Sequence, residues 1–256
     1  MRVWGDGSSP WPGLWLMASS GWVRSSACAD HERPLRDRNA SVICRRAVLL
    51  AGAGLAARPA GATLPVPRST ALAFRLVRRG SEIGRHIVTF ESQDDTLIVR
   101  VAVQALVTVF SIPIVRYSHH VVETWQGGTL VSLTGETHKN SDIQWVNARR
   151  TSEGLEVTGS KTERYIAPEP AFGTTYWNRH MVDGPIISLE DGVLLRPQVQ
   201  LSRAETVLLA SGDTIEADHY NLSGAFDIDV WYDQTDTWAG LAFPAPDGST
   251  VHYERL

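Results

Sequence analysis

Three carboxylates lie on one face of a short extended stretch. Asp227, Asp229 and Asp233 alternate with Phe226, Ile228, Val230 and Tyr232, so the acids share their face with Ala225 and Trp231. Acids aligned this way suit a divalent cation or acid–base work, because neighbouring like charges push pKa values apart. The ligand spacing of a calcium loop is absent, and a solvated outer face is the plainer reading. His119 and His120 are adjacent on a strand, project to opposite faces, and cannot chelate one ion without a bulge. Tyr117, His119 and Val121 share one face and Arg116, Ser118 and His120 the other, so one of the two histidines is a candidate proton carrier in a cavity. His180 and His219 have no partner visible from spacing. The run Tyr176-Trp177-Asn178-Arg179-His180 joins aromatic bodies to polar tips, a combination that caps a cavity mouth and orients a ligand. The candidate ligand-binding residues are therefore Tyr176, Trp177, Asn178, Arg179, His119 and Trp231. The competing role for Trp177 is a plug at one end of a barrel, with Asn178 satisfying loop backbone groups. No catalytic residue, metal or cofactor is assigned, since G-x-S-x-G, H-E-x-x-H, P-loop and dinucleotide patterns are all missing.

The elements that must carry these residues read almost entirely as strands. From about 71 onward period-2 alternation is broken by turn chemistry, which defines an all-β antiparallel meander. The first hairpin pairs 71–79 with 85–92 across Gly80-Ser81-Glu82-Ile83-Gly84, and Gly127-Gly128 marks a two-residue hairpin. In 96–109, Leu97, Val99, Val101 and Val103 share one face, opposite Arg100 and Gln104. One short irregular or helical insertion is expected near 173–182, and strands resume from about 185. About thirteen strands in under 200 residues must curl or split. The expectation is a barrel or half-barrel, with two packed sheets as the other solution. A transmembrane barrel is disfavoured, because polar strands such as 214–220 interrupt any lipid-facing band.

Tyr176-Trp177-Asn178 and Val230-Trp231-Tyr232-Asp233, together with Asp247-Gly248-Ser249 and Val251-His252-Tyr253, resemble a family of uncharacterised exported bacterial proteins. The opening Phe74-Arg75-Leu76 through Gly80 and Ile83-Gly84 is similar to a second exported family of unknown function. The resemblance spans most of 72–254. It implies a curved antiparallel sheet of the periplasmic lipoprotein-carrier kind around a hydrophobic cavity, and it implies no reaction.

Cys44-Arg45-Arg46-Ala47-Val48-Leu49-Leu50 resembles a twin-arginine translocation signal, with Val48 in place of the usual aromatic, so the general secretory route stays open. The apolar run that follows Arg46 is too short for a span needing about 20 residues, and it leads to a small-x-small cleavage site at Ala60-Gly61-Ala62. Residues 1–40 are expected to be a disordered, non-native upstream extension, 41–62 the export signal, and 63–256 a single β-rich domain without a transmembrane anchor. Of 24 basic and 28 acidic side chains, 8 and 4 fall in 1–62, which leaves 63–256 at a net charge of −8. An acidic surface repels phosphate backbones and excludes nucleic acid as a partner. Both cysteines, Cys28 and Cys44, also fall outside the domain, so its core alone must hold it. The expected function is an envelope protein, periplasmic or secreted, that binds a lipid or other amphiphile in a β-lined cavity. The alternatives are a periplasmic hydrolase or isomerase using Asp and His in the cavity, or a structural or assembly partner. The sequence sets no oligomeric state.

Overall fold

The computed structural model describes residues 64, 66–109 and 112–256. The upstream extension, the export signal and the boundary at Thr63 lie outside the described residues. Eight strands follow one another as a meander: β1 (Ala71–Arg78), β2 (Ser81–Gln93), β3 (Thr96–Val109), β4 (Ile112–Gln126), β5 (Thr129–Lys139), β6 (Asp142–Thr151), β7 (Gly154–Gly159) and β8 (Thr162–Ala167). Five more close the chain: β12 (Gln198–Leu208), β13 (Thr214–Ser223), β14 (Ile228–Asp233), β15 (Trp238–Pro244) and β16 (Thr250–Arg255). Because β16 pairs antiparallel with β1, the two meanders fuse into one 13-stranded sheet whose free edges are β8 and β12. The expected meander is thus a single curled sheet that stays open.

Alternation drives this arrangement. On β3, Leu97, Val99, Val101, Val103, Ala105 and Val107 are all buried on one face, and β14 buries Ile228, Val230 and Tyr232 in the same way. Gly127 and Gly128 both take positive φ, as the two-residue turn from β4 to β5 requires. The first hairpin differs from its expected form. Arg79 and Gly80 alone make the turn, and β2 starts at Ser81; the register shift that follows leaves Ile83 as a bulge between the pairs Val77–Glu82 and Leu76–Gly84.

The segment between the two free edges is larger than the expected insertion. Residues 168–197 hold β9 (Phe172–Gly173), β10 (Ile186–Ile187) and β11 (Leu194–Leu195), a separate three-stranded sheet, and a 3-10 turn at Arg179–Asp183. Asn178 starts that turn by accepting from the His180 amide at 3.1 Å. The segment packs against the concave face. Trp177, Met181, Ile186, Ile187 and Leu189 are buried, and contacts from the segment reach β2, β4, β8, β13 and β14. Its backbone approaches so closely that glycine is required beneath it. A Cβ on Gly135 would stand 2.5 Å from the Leu189 carbonyl oxygen, and one on Gly159 would overlap the Asp191 carbonyl. Gly159→Ala is therefore expected to destabilise the protein by about 1–3 kcal/mol through overpacking, read as a lowered denaturant midpoint. An unchanged midpoint would mean that the segment sits loosely.

Candidate functional site

The inward face of β4 carries Tyr117, His119, Val121, Glu123 and Trp125, and here the filling segment meets the sheet. Glu123 is fully buried. One of its oxygens accepts from the Trp177 indole at 2.8 Å and the Trp125 indole at 3.0 Å, and the other accepts from the Thr175 hydroxyl at 3.1 Å. Burial raises the Glu123 pKa, and the three donors pull against that rise. Trp177 also packs edge-on against Phe90 and Trp125. This is an anchor, in which two of the three donors, Thr175 and Trp177, lie more than 50 residues from the acceptor in the chain.

Beside the anchor lies a cavity of about 50 Å³ between the segment and β2, β3, β4, β15 and β16. Its polar lining is His86, Tyr117, His119, Thr174, Tyr176, Glu190 and Tyr253. Tyr117 donates to Glu190 at 2.8 Å, and His119 meets the Thr137 hydroxyl at 2.7 Å. Neither ring nitrogen of His86, nor the second oxygen of Glu190, has a hydrogen-bond partner among the described residues. His86 instead touches the rings of Trp238 and Tyr253. Burial pushes the Glu190 carboxyl up to about 8 and lowers His86 to about 3 and His119 to about 4, with a further lowering of His86 by His119 and of His119 by His120. At neutral pH the cavity therefore holds a protonated acid and two neutral imidazoles.

A second space of about 490 Å³ opens where the β1–β2 and β15–β16 turns meet the ends of β3 and β4. Ile83, Leu106, Val107, Ile114, Val115 and Val251 give it an apolar wall. At its rim, Arg78 and Arg79 both reach the same oxygen of Asp247 at 2.6 Å. Arg78 and Ser249 hold the Asp247 carboxyl well below the usual carboxylate range. Two guanidinium groups share one carboxylate, while the other acid of the lining, Glu82, pairs with Arg85 at 3.0 Å.

The residues singled out from the sequence do not converge. Tyr176 and His119 line the small cavity, whereas Trp177 and Asn178 are buried in the anchor and the 3-10 turn. Arg179 is held by Tyr220 at 3.0 Å and Asp236 at 3.1 Å. Trp231 lies on the opposite face of the sheet, stacked on His219 at 4.7 Å. His219 does reach one of the three aspartates. Its two nitrogens stand 2.8 Å from Asp229 and 2.8 Å from Glu205, so neither remains open to a substrate. Asp233 is engaged separately by Arg255 and Thr235, so the acids form no common site. Among the described residues no group of three or more His, Cys, Asp or Glu side chains is arranged to hold a metal ion. No helix among them is long and apolar enough to cross a membrane. Sequence reasoning missed Glu123, Glu190 and His86; continuing the alternation from Val121 would have placed Glu123 inward, but nothing local announces the other two.

Fold and interior together define a class: an open antiparallel sheet curled around a segment of its own chain. By its match over residues 74–256, the chain belongs to the family described as a domain of unknown function, DUF6134. The expected kinship with a family of unknown function holds at that level. The crystal structure of a beta-barrel-like protein of domain of unknown function DUF1849 from Brucella abortus is similar, with a TM-score of 0.52 and 10% identity, covering 73% of this chain and 94% of that one. At that identity the likeness bears on the fold alone. Among curated proteins no relative matches the chain.

Proposed function

We propose that this is an exported envelope protein that holds an anionic amphiphile at the open end of its curled sheet. The arginine pair before a short apolar run supports export. The observation that carries the binding role is the space of about 490 Å³, whose apolar wall runs up to two arginines sharing one carboxylate. Its size falls in the range of small-molecule sites, and apolar walls with a few polar groups fix both affinity and orientation. The tail lies along Leu106, Val107 and Val251 while the head group meets Arg79, which is the more exposed arginine. The space beneath the filling segment, at about 50 Å³, is too small for an alkyl chain.

Titration of the purified chain with dodecanoate tests this, followed by tryptophan fluorescence or calorimetry. Saturable binding is expected. Arg79→Asn should weaken it about fivefold, the worth of one exposed charge, and Asn tolerates the left-handed backbone of that turn. Absence of saturation, or equal binding of dodecanol and dodecanoate, would contradict the proposal.

A further inference from the structure

The small cavity has a chemistry of its own. Among the described residues, Glu190 is its one acidic side chain and no lysine or arginine lines it. Its remaining polar groups are imidazoles and hydroxyls, and Tyr117, Tyr176, Phe243 and Tyr253 supply aromatic walls. A buried polar atom without a partner is costly, and such atoms are few in native proteins. Here three converge on one space, both nitrogens of His86 and the second oxygen of Glu190, with His86 3% and Glu190 5% exposed. Hydrocarbon would suit the His86 position better, given Phe74, Trp238 and Tyr253 around it. Since a water takes about 30 Å³ in the liquid, about 50 Å³ admits an occupant of one or two non-hydrogen atoms.

We propose that this cavity binds a small ammonium cation, with Glu190 as its counter-ion and a ring nitrogen of His86 as a second acceptor. A neutral imidazole accepts an N–H bond through its unprotonated nitrogen, a carboxylate accepts through either oxygen, and aromatic walls favour a cation over an anion. As the cation enters, the Glu190 carboxyl gives up its proton to solvent, so one charge replaces another and the cavity stays neutral. The charged and titratable groups around Glu190 are Tyr117, Lys139, Lys161, Asp191, Tyr176 and Tyr253. Lys139 and Lys161 act on Glu190 from outside the cavity lining. This site is separate from the amphiphile space, and neither reading depends on the other.

The test is a titration of the full chain, labelled at histidine, with methylammonium chloride at pH 6, 7 and 8, against matched sodium chloride. The His86 ring signals should shift saturably, and the dissociation constant should fall roughly tenfold per pH unit, because one proton is displaced. Glu190→Gln preserves the acceptor for Tyr117; it should weaken binding at least tenfold at pH 8 and abolish the pH dependence. Three results would overturn the proposal: no saturable shift at pH 8, an equal response to methanol as the uncharged isostere, or unaltered binding by the Glu190→Gln chain.

Discussion

Replacing Glu123 by alanine is expected to lower the stability of this protein by about 4 kcal/mol, or its melting temperature by about 10 °C. The carboxylate accepts from two indoles and one hydroxyl, and all three donor residues are buried. Removing the acceptor leaves them buried and unpaired, at about 1–3 kcal/mol each with incomplete additivity, and adds a cavity on top. Trp177→Ala should cost a similar amount, because it removes one of the largest fully buried side chains in the fold. Trp177→Phe keeps most of the volume and loses a single donor, so its effect should be the smaller one. Thermal unfolding of the four proteins checks the order. Equal stability of the Glu123→Ala and parent chains would show that the segment at 168–197 is not anchored to β4.

The second large effect is on the pH dependence of stability. His86 and His119 have their folded pKa values lowered from 6.5 to about 3 and about 4. Each therefore contributes stability that is fully present above pH 6.5 and is lost as pH falls. Glu190 has its folded pKa raised from 4.5 to about 8, so its contribution is fully present below pH 4.5 and is lost as pH rises toward 8. Glu123, also raised, acts in the same sense as Glu190. Between pH 6.5 and 8 Glu190 acts without the histidines and stability should fall, by about 1.4 kcal/mol per pH unit for its one proton. Below pH 4.5 the histidines dominate, and stability should fall again. Glu190→Gln removes one proton from the alkaline limb and should flatten it, while the acid limb is unaltered. Denaturant unfolding at pH 6.5, 7.25 and 8 measures this, and identical slopes for parent and variant would mean that Glu190 is solvated in the folded state.

Much of the fold was legible because period 2 is a local property. The inward faces of β3 and β14 follow from adjacent residues, and so do the glycine turn at 127–128 and the approximate strand number. The bulge at Ile83 was hidden, since a glycine at either end of 80–84 equally suits a longer loop. The filling segment was visible as an irregularity near 173–182, but its extent was not. Its stability comes from Glu123, Tyr117 and Tyr232, contacts 52 to 73 residues away. An acid on an inward strand face ordinarily argues against burial, and only the two indoles that meet Glu123 reverse that argument. The pairing of Trp231 and His219 with Glu205 was out of reach for a similar reason. A register shift between Ser202 and Glu205 interrupts the ladder there, and no count along the chain reveals it.

The central claim is that the curled sheet is filled by its own chain and takes its amphiphile at the open end. Hydrogen exchange of the backbone amides, with and without saturating dodecanoate, tests it most directly. Added protection is expected around Arg78–Ile83, at Leu106–Thr108 and around Ala245–Val251, with no change in 171–195. Loss of protection across 171–195 on adding the amphiphile would show that the segment is expelled and the interior is the site, which would contradict the account.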